Sequence, residues 1–463
     1  MSAGPLAPPP VTVLAIVGAT LVDGTGVPPL ADATILIEHG RFVAVGPSAQ
    51  TTAPPNATVV DARGTFAIPG LCDMHVHVYT HDQWHPELFL AAGVTTILDL
   101  GGQVEHVAAH RAIIESGARR GPRCYFTGPL LEEGEPFAGF AGFSRKIDAA
   151  RIEEEVDALA DAGVDGIKLY VTVRPETAQR ACARAHARGL PVFMHQHATW
   201  GADAAAAGVD SVEHLNVYGA LGPEPHRPPD PGRLTPFEYG GWLWRWLPDV
   251  DPQSDAVRRL HDRLIEAGTA IDPTLVLYAS RPAALGDDVG DTSMDDPERT
   301  ALLPVLPRGV REALVARWAE RRSAARGASA TAKDRTRRAW QNMLALIGAF
   351  HHAGGVVLAG TDCPNVAIVS GYSLHRELEL LVRAGLSPME AIIAATRRPA
   401  ERLRRADVFG SVRPGLSADL LLLSADPLAD IRNVRRIERV IARGESHEPA
   451  ALLDSLRRSS AAR

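Results

Sequence analysis

Residues 71–80 read LCDMHVHVYT, and His75 and His77 stand two apart in an otherwise apolar run that follows Pro69 and Gly70. In a β-strand, side chains i and i+2 leave the same side, so these imidazoles project together, about 7 Å apart along the backbone. Two neutral imidazoles so placed can chelate one metal ion. As an isolated pair they read equally well as core or surface histidines. Other apolar stretches end in polar residues too: His195 closes LPVFMH, His214 closes GVDSVEH, Asp362 closes GGVVLAGTD, and Lys168 interrupts GVDGIKLY. Burying a lysine, an aspartate and four histidines without partners or a metal would be costly in desolvation, so the set says more than any member.

Weaker candidates surround this set. His197 lies two residues beyond His195, facing the same way, and could touch substrate. Tyr170 lies two beyond Lys168 and could donate to a tetrahedral oxyanion. His375, in GYSLHRELE, could contact substrate from a loop-to-helix junction. His81 and His85 read as surface loop residues, and His351 and His352 as structural groups at a helix C-terminus. Cys363 would face away from Asp362 and is not expected to be a nucleophile.

The elements that must position these residues follow from hydrophobic patterning. Eight apolar strand candidates succeed one another between residues 67 and 407: GLCDMHVHV, GVTTILDLG, PRCYFTG, GVDGIKLYV, LPVFMHQH, GVDSVEHL, GTAIDPTLVLY and GGVVLAGTDC. Amphipathic segments such as IDAARIEEEVDALADAG separate them. Apolar runs alternating with helices predict parallel βαβ units, and eight units predict an α/β fold of the (β/α)8 TIM-barrel type. In such a barrel the chemistry sits at the C-terminal ends of the strands, where these polar residues lie. Residues 11–66 and 408–445 instead read as short strands with Gly and Asp-Gly turns, predicting a small β-sandwich domain built from both chain ends. Insertions at 216–251, with the Trp242, Trp244 and Trp246 cluster, and at 279–355 would follow barrel strands. Phe237 and Tyr239 join the tryptophans in a cluster that reads either as an apolar lid over the site or as packing that fixes the insertion to the barrel.

Bulk properties narrow the partners. The chain has 463 residues, 46% of them hydrophobic, and a formal net charge of −7. That charge argues against nucleic acid, whose phosphates need a basic surface. No apolar run is long enough to span a membrane. Four widely spaced cysteines form no C-x-x-C pair, which disfavours a thiolate metal site and suits reduced thiols. The first residues lack the basic and apolar regions of a signal peptide, and the expected location is cytoplasmic.

The spacing of these residues resembles the amidohydrolase superfamily: H-x-H on the first strand, Lys on the fourth, His on the fifth and sixth, Asp on the eighth. The surrounding words IPGLCDMHVHV, GVDSVEHL and AGTDCP agree, as does the tail SLHRELELLVRAGLSPMEAIIAATRRPAERL followed by GSVRPGLSADLLLL. The chain looks closest to the branch with imidazolonepropionase-like and cytosolic Xaa-Pro dipeptidase-like members. The resemblance implies two divalent metal ions. His75 and His77 would hold one, His195 and His214 the other, an N-carboxylated Lys168 would bridge them, and Asp362 would ligate the first and act as general acid/base. Zinc suits this donor set, and Mn, Fe or Co also fit.

The implied reaction is hydrolysis of an amide-type C–N bond in a small molecule: an N-acyl amino acid, a dipeptide or a cyclic amide. Lactone or ester hydrolysis, decarboxylation and dehydration share the scaffold, and a non-catalytic scaffold is the remaining class. No G-x-S-x-G, H-E-x-x-H or P-loop word is present. Pairing into a homo-oligomer rests on fold-level analogy alone.

Overall fold

The computed structural model describes residues 13–77, 85–136, 140, 142–221, 243–280, 302–306, 308–365 and 368–461. The chain opens with β1 (Leu14–Leu21), β2 (Leu30–Glu38), β3 (Arg41–Pro47), β4 (Thr58–Asp61) and β5 (Phe66–Pro69). β2 and β3 pair antiparallel across a two-residue turn, His39-Gly40, in which both φ angles are positive (49° and 74°). That conformation matches the twist of a hairpin, and glycine adopts it without steric cost.

The parallel body follows. It comprises β6 (Leu71–Val76), β7 (Val94–Asp99), β8 (Arg123–Phe126), β9 (Leu130–Glu132), β10 (Ser144–Lys146), β11 (Ile167–Leu169), β12 (Val192–His195), β13 (Ser211–Glu213) and β14 (Ala270–Asp272). β6 and β7 are buried at every position, as strands covered on both faces must be. Hydrogen bonding gives two sheets, β6–β7–β8 and β10–β9–β11–β12–β13–β14. The division falls where the chain turns at Gly128 (φ 73°). β8, before the turn, pairs with β7, and β9, after it, pairs with β11.

The eighth predicted strand is not continuous. Val357 bridges Ile271 and Cys363 bridges Val76, both in parallel fashion. Between them Met74 N donates to Ala359 O (3.1 Å) and Asp362 N to His75 O (2.8 Å). The segment therefore links β14 to β6 without regular strand geometry. Helices between strands carry apolar faces inward. In Ile152–Asp161, Ile152, Val156 and Leu159 are buried while Glu153, Glu154 and Glu155 occupy the first turn, suiting the helix dipole.

The chain then returns to its opening sheet with β15 (Leu420–Leu423), β16 (Ile437–Ala442) and β17 (Glu445–His447). The strand order is β17–β16–β15–β5–β1–β2–β3, with β4 on β1. Strands from both segments share one sheet, forked at β1, where β4 and β5 line the same edge. Arg123, at the start of β8, joins this sheet to the body through Asp419 Oδ2 (2.9 Å) and Ser417 Oγ (2.7 Å).

Within the predicted insertion 279–355, long helices run over Arg308–Gly327 and Ala330–His352. Trp246 is buried in the main core and Trp244 packs against it. Phe237, Tyr239 and Trp242 lie outside the described residues, as does His81. All four cysteines are buried and unpaired by disulfides. Among the described residues no helix is long and apolar enough to cross a membrane.

Candidate metal-binding site

Parallel register decides which side chains share a face. His195, Glu213 and Asp272 occupy one row across β12, β13 and β14, so they leave the sheet on the same side. Lys168 is paired with Phe193, two residues before His195, and projects to that side too. Two ligand candidates reach the pocket by a different route. His214 has φ 65° and Asp362 φ 60°, left-handed conformations that non-glycine residues adopt at a cost. At His214 this breaks strand alternation, and consecutive Glu213 and His214 both face inward.

The side chains form a continuous row. His77 Nε2 lies 3.2 Å from Asp362 Oδ1, and His75 Nε2 lies 3.6 Å from the same oxygen. The ligand atoms of His75, His77 and Asp362 lie within 4.8 Å of one another. The His75 ring centroid is 4.8 Å from that of His214, which is 4.6 Å from that of His195, which is 4.8 Å from that of Tyr170. The structure thus brings His75, His77, His195, His214, Asp362 and Tyr170 together. Gly360 is required beneath them: a Cβ there would stand 2.1 Å from Asp272 Oδ2 and 2.7 Å from His75 Cβ.

Neighbours orient these groups. His75 Nδ1 lies 2.9 Å from Glu213 Oε2, which turns Nε2 toward Asp362. His214 Nδ1 is hydrogen-bonded to Thr274 Oγ1 (2.7 Å), and Asn216 Nδ2 contacts His195 Nε2 (3.3 Å). Asn365 Nδ2 donates to Asp362 Oδ2 (3.1 Å). Asp73 accepts from Thr361 N (3.0 Å) and Oγ1 (2.7 Å), tying the first strand to the last segment.

Electrostatics follow from burial and mutual charge. Burial lowers the Lys168 ammonium, against the pull of Glu213, Asp362 and Asp272. Burial, helped by the Lys168 charge, also lowers His75 and His195; burial and the His195 charge lower His214. Burial acts to raise Asp362, but the hydrogen bond from His77 and the charges of His75 and His214 hold it well below the usual carboxylate range. Asp272 is pushed well above it by burial and by Glu213 and Glu377. The row therefore favours neutral imidazoles and an ionised Asp362, the protonation states a metal requires. Lys168 Nζ and both oxygens of Asp272 are buried with no hydrogen-bond partner among the described residues.

Two weaker candidates fall elsewhere. His197 packs against Trp200, ring centroids 5.2 Å apart. His375 is a correction: its Nε2 donates to Ala92 O (2.7 Å), and Ala92 precedes the start of β7, at the end of the parallel strands opposite Asp362. Glu213 and Asp272 were not foreseen. Glu213 stands in the word VEH, but alternation assigns it the face opposite His214. Asp272 was hidden in an apolar run before a proline.

The chain is similar to several known proteins. The amidohydrolase family model matches residues 315–446. An imidazolonepropionase from Streptomyces griseus is 27% identical over 422 residues, covering 88% of this chain and 89% of that protein. An adenine deaminase from Rubrobacter xylanophilus is 24% identical over 439 residues, covering 93% of this chain, but the chain spans only 56% of that relative's length. Among solved structures, a Xaa-Pro dipeptidase with bound methionine aligns at TM-score 0.65 and 19% identity, covering 94% of this chain and 100% of that one. The chain is thus similar to amidohydrolases, imidazolonepropionases and adenine deaminases among them, and its fold is similar to that of prolidase-like structures.

Proposed function

We propose that this chain is a binuclear metal-dependent amidohydrolase that cleaves an amide-type C–N bond in a small molecule. The observation that carries this reading is Lys168: a buried amine with no hydrogen-bond partner among the described residues, set among histidines and carboxylates. Burial favours its neutral form, and only a neutral amine adds carbon dioxide to become a carbamate, losing a proton as the N–C bond forms. The residues fit the metals. His75, His77 and Asp362 would hold one ion, His195 and His214 the other, with the Lys168 carbamate shared between them. Zinc matches this donor set, and Mn, Fe or Co are accommodated. Bound divalent metal supplies a water acidic near neutral pH and polarises the scissile carbonyl.

The chain's own groups do the rest. Asp362, held by His77 and Asn365, takes a proton from the attacking water and returns it to the leaving nitrogen. Tyr170, beside His195, would donate to the oxyanion. His197, beside Trp200, would line the leaving-group or acyl side. Glu213 holds the His75 ring, the carboxylate–imidazole arrangement that raises ligand basicity. The architecture belongs to the same reading: the parallel strands of residues 67–407 close as a (β/α)8 barrel, and the sheet of 11–66 and 408–445 folds as a sandwich beside it.

The test is metal content of the purified protein, with Lys168→Ala alongside. About two equivalents per chain, falling sharply in the variant, supports the reading. One equivalent, unchanged in the variant, would replace it with a mononuclear site in which Lys168 binds substrate.

A further inference from the structure

The loop word LLEEGEP places three carboxylates within four residues, and two of them have cations. Arg174 Nε lies 2.8 Å from Glu133 Oε2, and Lys146 pairs with Glu135. The third, Glu132, is the most buried, at 0% exposure. Its Oε2 accepts from Thr172 Oγ1 (2.5 Å) and Thr172 N (3.2 Å). Its Oε1 is buried with no hydrogen-bond partner among the described residues. Burial raises this carboxyl to about 7. A carboxyl anchored through one oxygen and open at the other carries a desolvation penalty that a donor would remove.

Register says where that open oxygen lies. Leu131 pairs with Leu169, so Leu130 and Glu132 leave the sheet on the side that Lys168 and Tyr170 use. Leu130 and Tyr170 do share one apolar cluster. Leu130 also borders the site: a Cβ on Gly101 would stand 3.0 Å from Leu130 Cδ2 and 3.2 Å from His77 Nδ1. Glu132 is the next inward-facing position, about 7 Å further toward the C-terminal mouth. It shares its side of the sheet with Lys168 and Tyr170, and no role proposed above uses it.

We propose that Glu132 recognises a positively charged nitrogen on the substrate, an ammonium group placed on the acyl side of the scissile bond. The proposal rests on the amidohydrolase reading and narrows its substrate class. Thr172 holds Oε2, Oε1 receives the ammonium, and the neighbouring arginine and lysine are already engaged by Glu133 and Glu135. A neutral N-acyl amino acid would leave Oε1 unmet, whereas a molecule with a free amino group would satisfy it.

Two measurements on the metal-loaded protein test this. The first compares kcat/KM on dipeptides and on their N-acetyl counterparts, for the wild type and for Glu132→Gln, which keeps the shape and an acceptor for Thr172. The expected result is a preference of at least about tenfold for the free amine, collapsing in the variant because only the free-amine substrates lose rate. The second is calorimetric titration with leucinol and with 4-methylpentan-1-ol, its analogue without the amine, neither of which contains an amide bond. Tighter binding of leucinol, lost in Glu132→Gln and kept in Glu132→Asp, supports the assignment. Equal binding of both probes, no binding of either, or an equal loss of rate on both substrate series overturns it and leaves Glu132 a structural partner of Thr172. If no amide is hydrolysed yet leucinol binding depends on Glu132, the amidohydrolase reading fails and the recognition site stands.

Discussion

Two buried charge clusters in this molecule are built on opposite principles. At the junction between the end-built sheet and the parallel body, Arg123 meets Asp419 and Ser417, Asp419 Oδ1 accepts from Arg443 N (2.8 Å), and the Asp419 carbonyl accepts from Gly70 N (2.9 Å). There the donors and acceptors meet one another. In the metal-site row, Lys168 Nζ and the Asp272 carboxylate meet no hydrogen-bond partner among the described residues. Buried polar groups paired within the protein hold pieces together; those left unpaired keep a desolvation cost that a bound group would relieve.

The sharpest way to break the comparison is Asp362→Asn. It removes the carboxylate proposed to carry the proton but not the fold, so turnover should fall about 10²–10⁴-fold while the melting temperature stays near that of the wild type. Steady-state kinetics beside thermal denaturation check this. An equal loss of stability would make Asp362 a structural group like Asp419.

Asp419→Ala should do the reverse. It leaves Arg123 buried without its partner, an expected loss of about 3–5 kcal/mol measured by denaturant unfolding. The kcat of the protein that remains folded should not change. If stability holds and kcat falls, the junction is not the closed structural cluster described here.

Glu213→Gln tests the link between the two principles, because Glu213 is a buried acid that serves a candidate ligand. Loss of the charge facing His75 should weaken metal binding by about 10–100-fold, read by competition with a chelator. Folding stability should move little.

A further contrast is a pH slope from Glu377, which accepts from Leu275 N (2.9 Å) and Val276 N (2.6 Å) and which burial raises to about 8 from an ordinary 4.5. Between those values the folded state holds a proton that the unfolded state has released. Stability from this group is therefore full below about 4.5 and declines as pH rises toward 8. Melting curves from pH 5 to 8.5 should show a shallower decline in Glu377→Gln than in the wild type.

Much of this arrangement was legible in the sequence, for physical reasons that also mark where legibility stopped. Period-two patterning and the strand-end positions of His75, His77, His195, His214, Lys168 and Asp362 gave their convergence. The same alternation rule hid Glu213, because it cannot foresee a left-handed backbone at His214. It also could not see that the third strand turns at Gly128, or that the eighth segment keeps only isolated bridges. His375 was misplaced because its position at a loop-to-helix junction does not say which end of the parallel strands its side chain meets. Nothing in the sequence singles out Glu132; its burial, its bonds from Thr172 and its register distinguish it from Glu133 and Glu135.

The sheet shared by both chain ends also sets a timetable for synthesis. β5 pairs with β15 from Phe66↔Leu423 to Pro69↔Leu420, so an edge made early waits for a partner about 350 residues downstream. At ribosomal speeds the wait is roughly 20–70 s. During that interval Phe66–Pro69 is an open strand edge on a nascent chain, and a message truncated before residue 420 never closes it. Termination between residues 363 and 419 should therefore give insoluble protein, even though every candidate metal ligand has already been made.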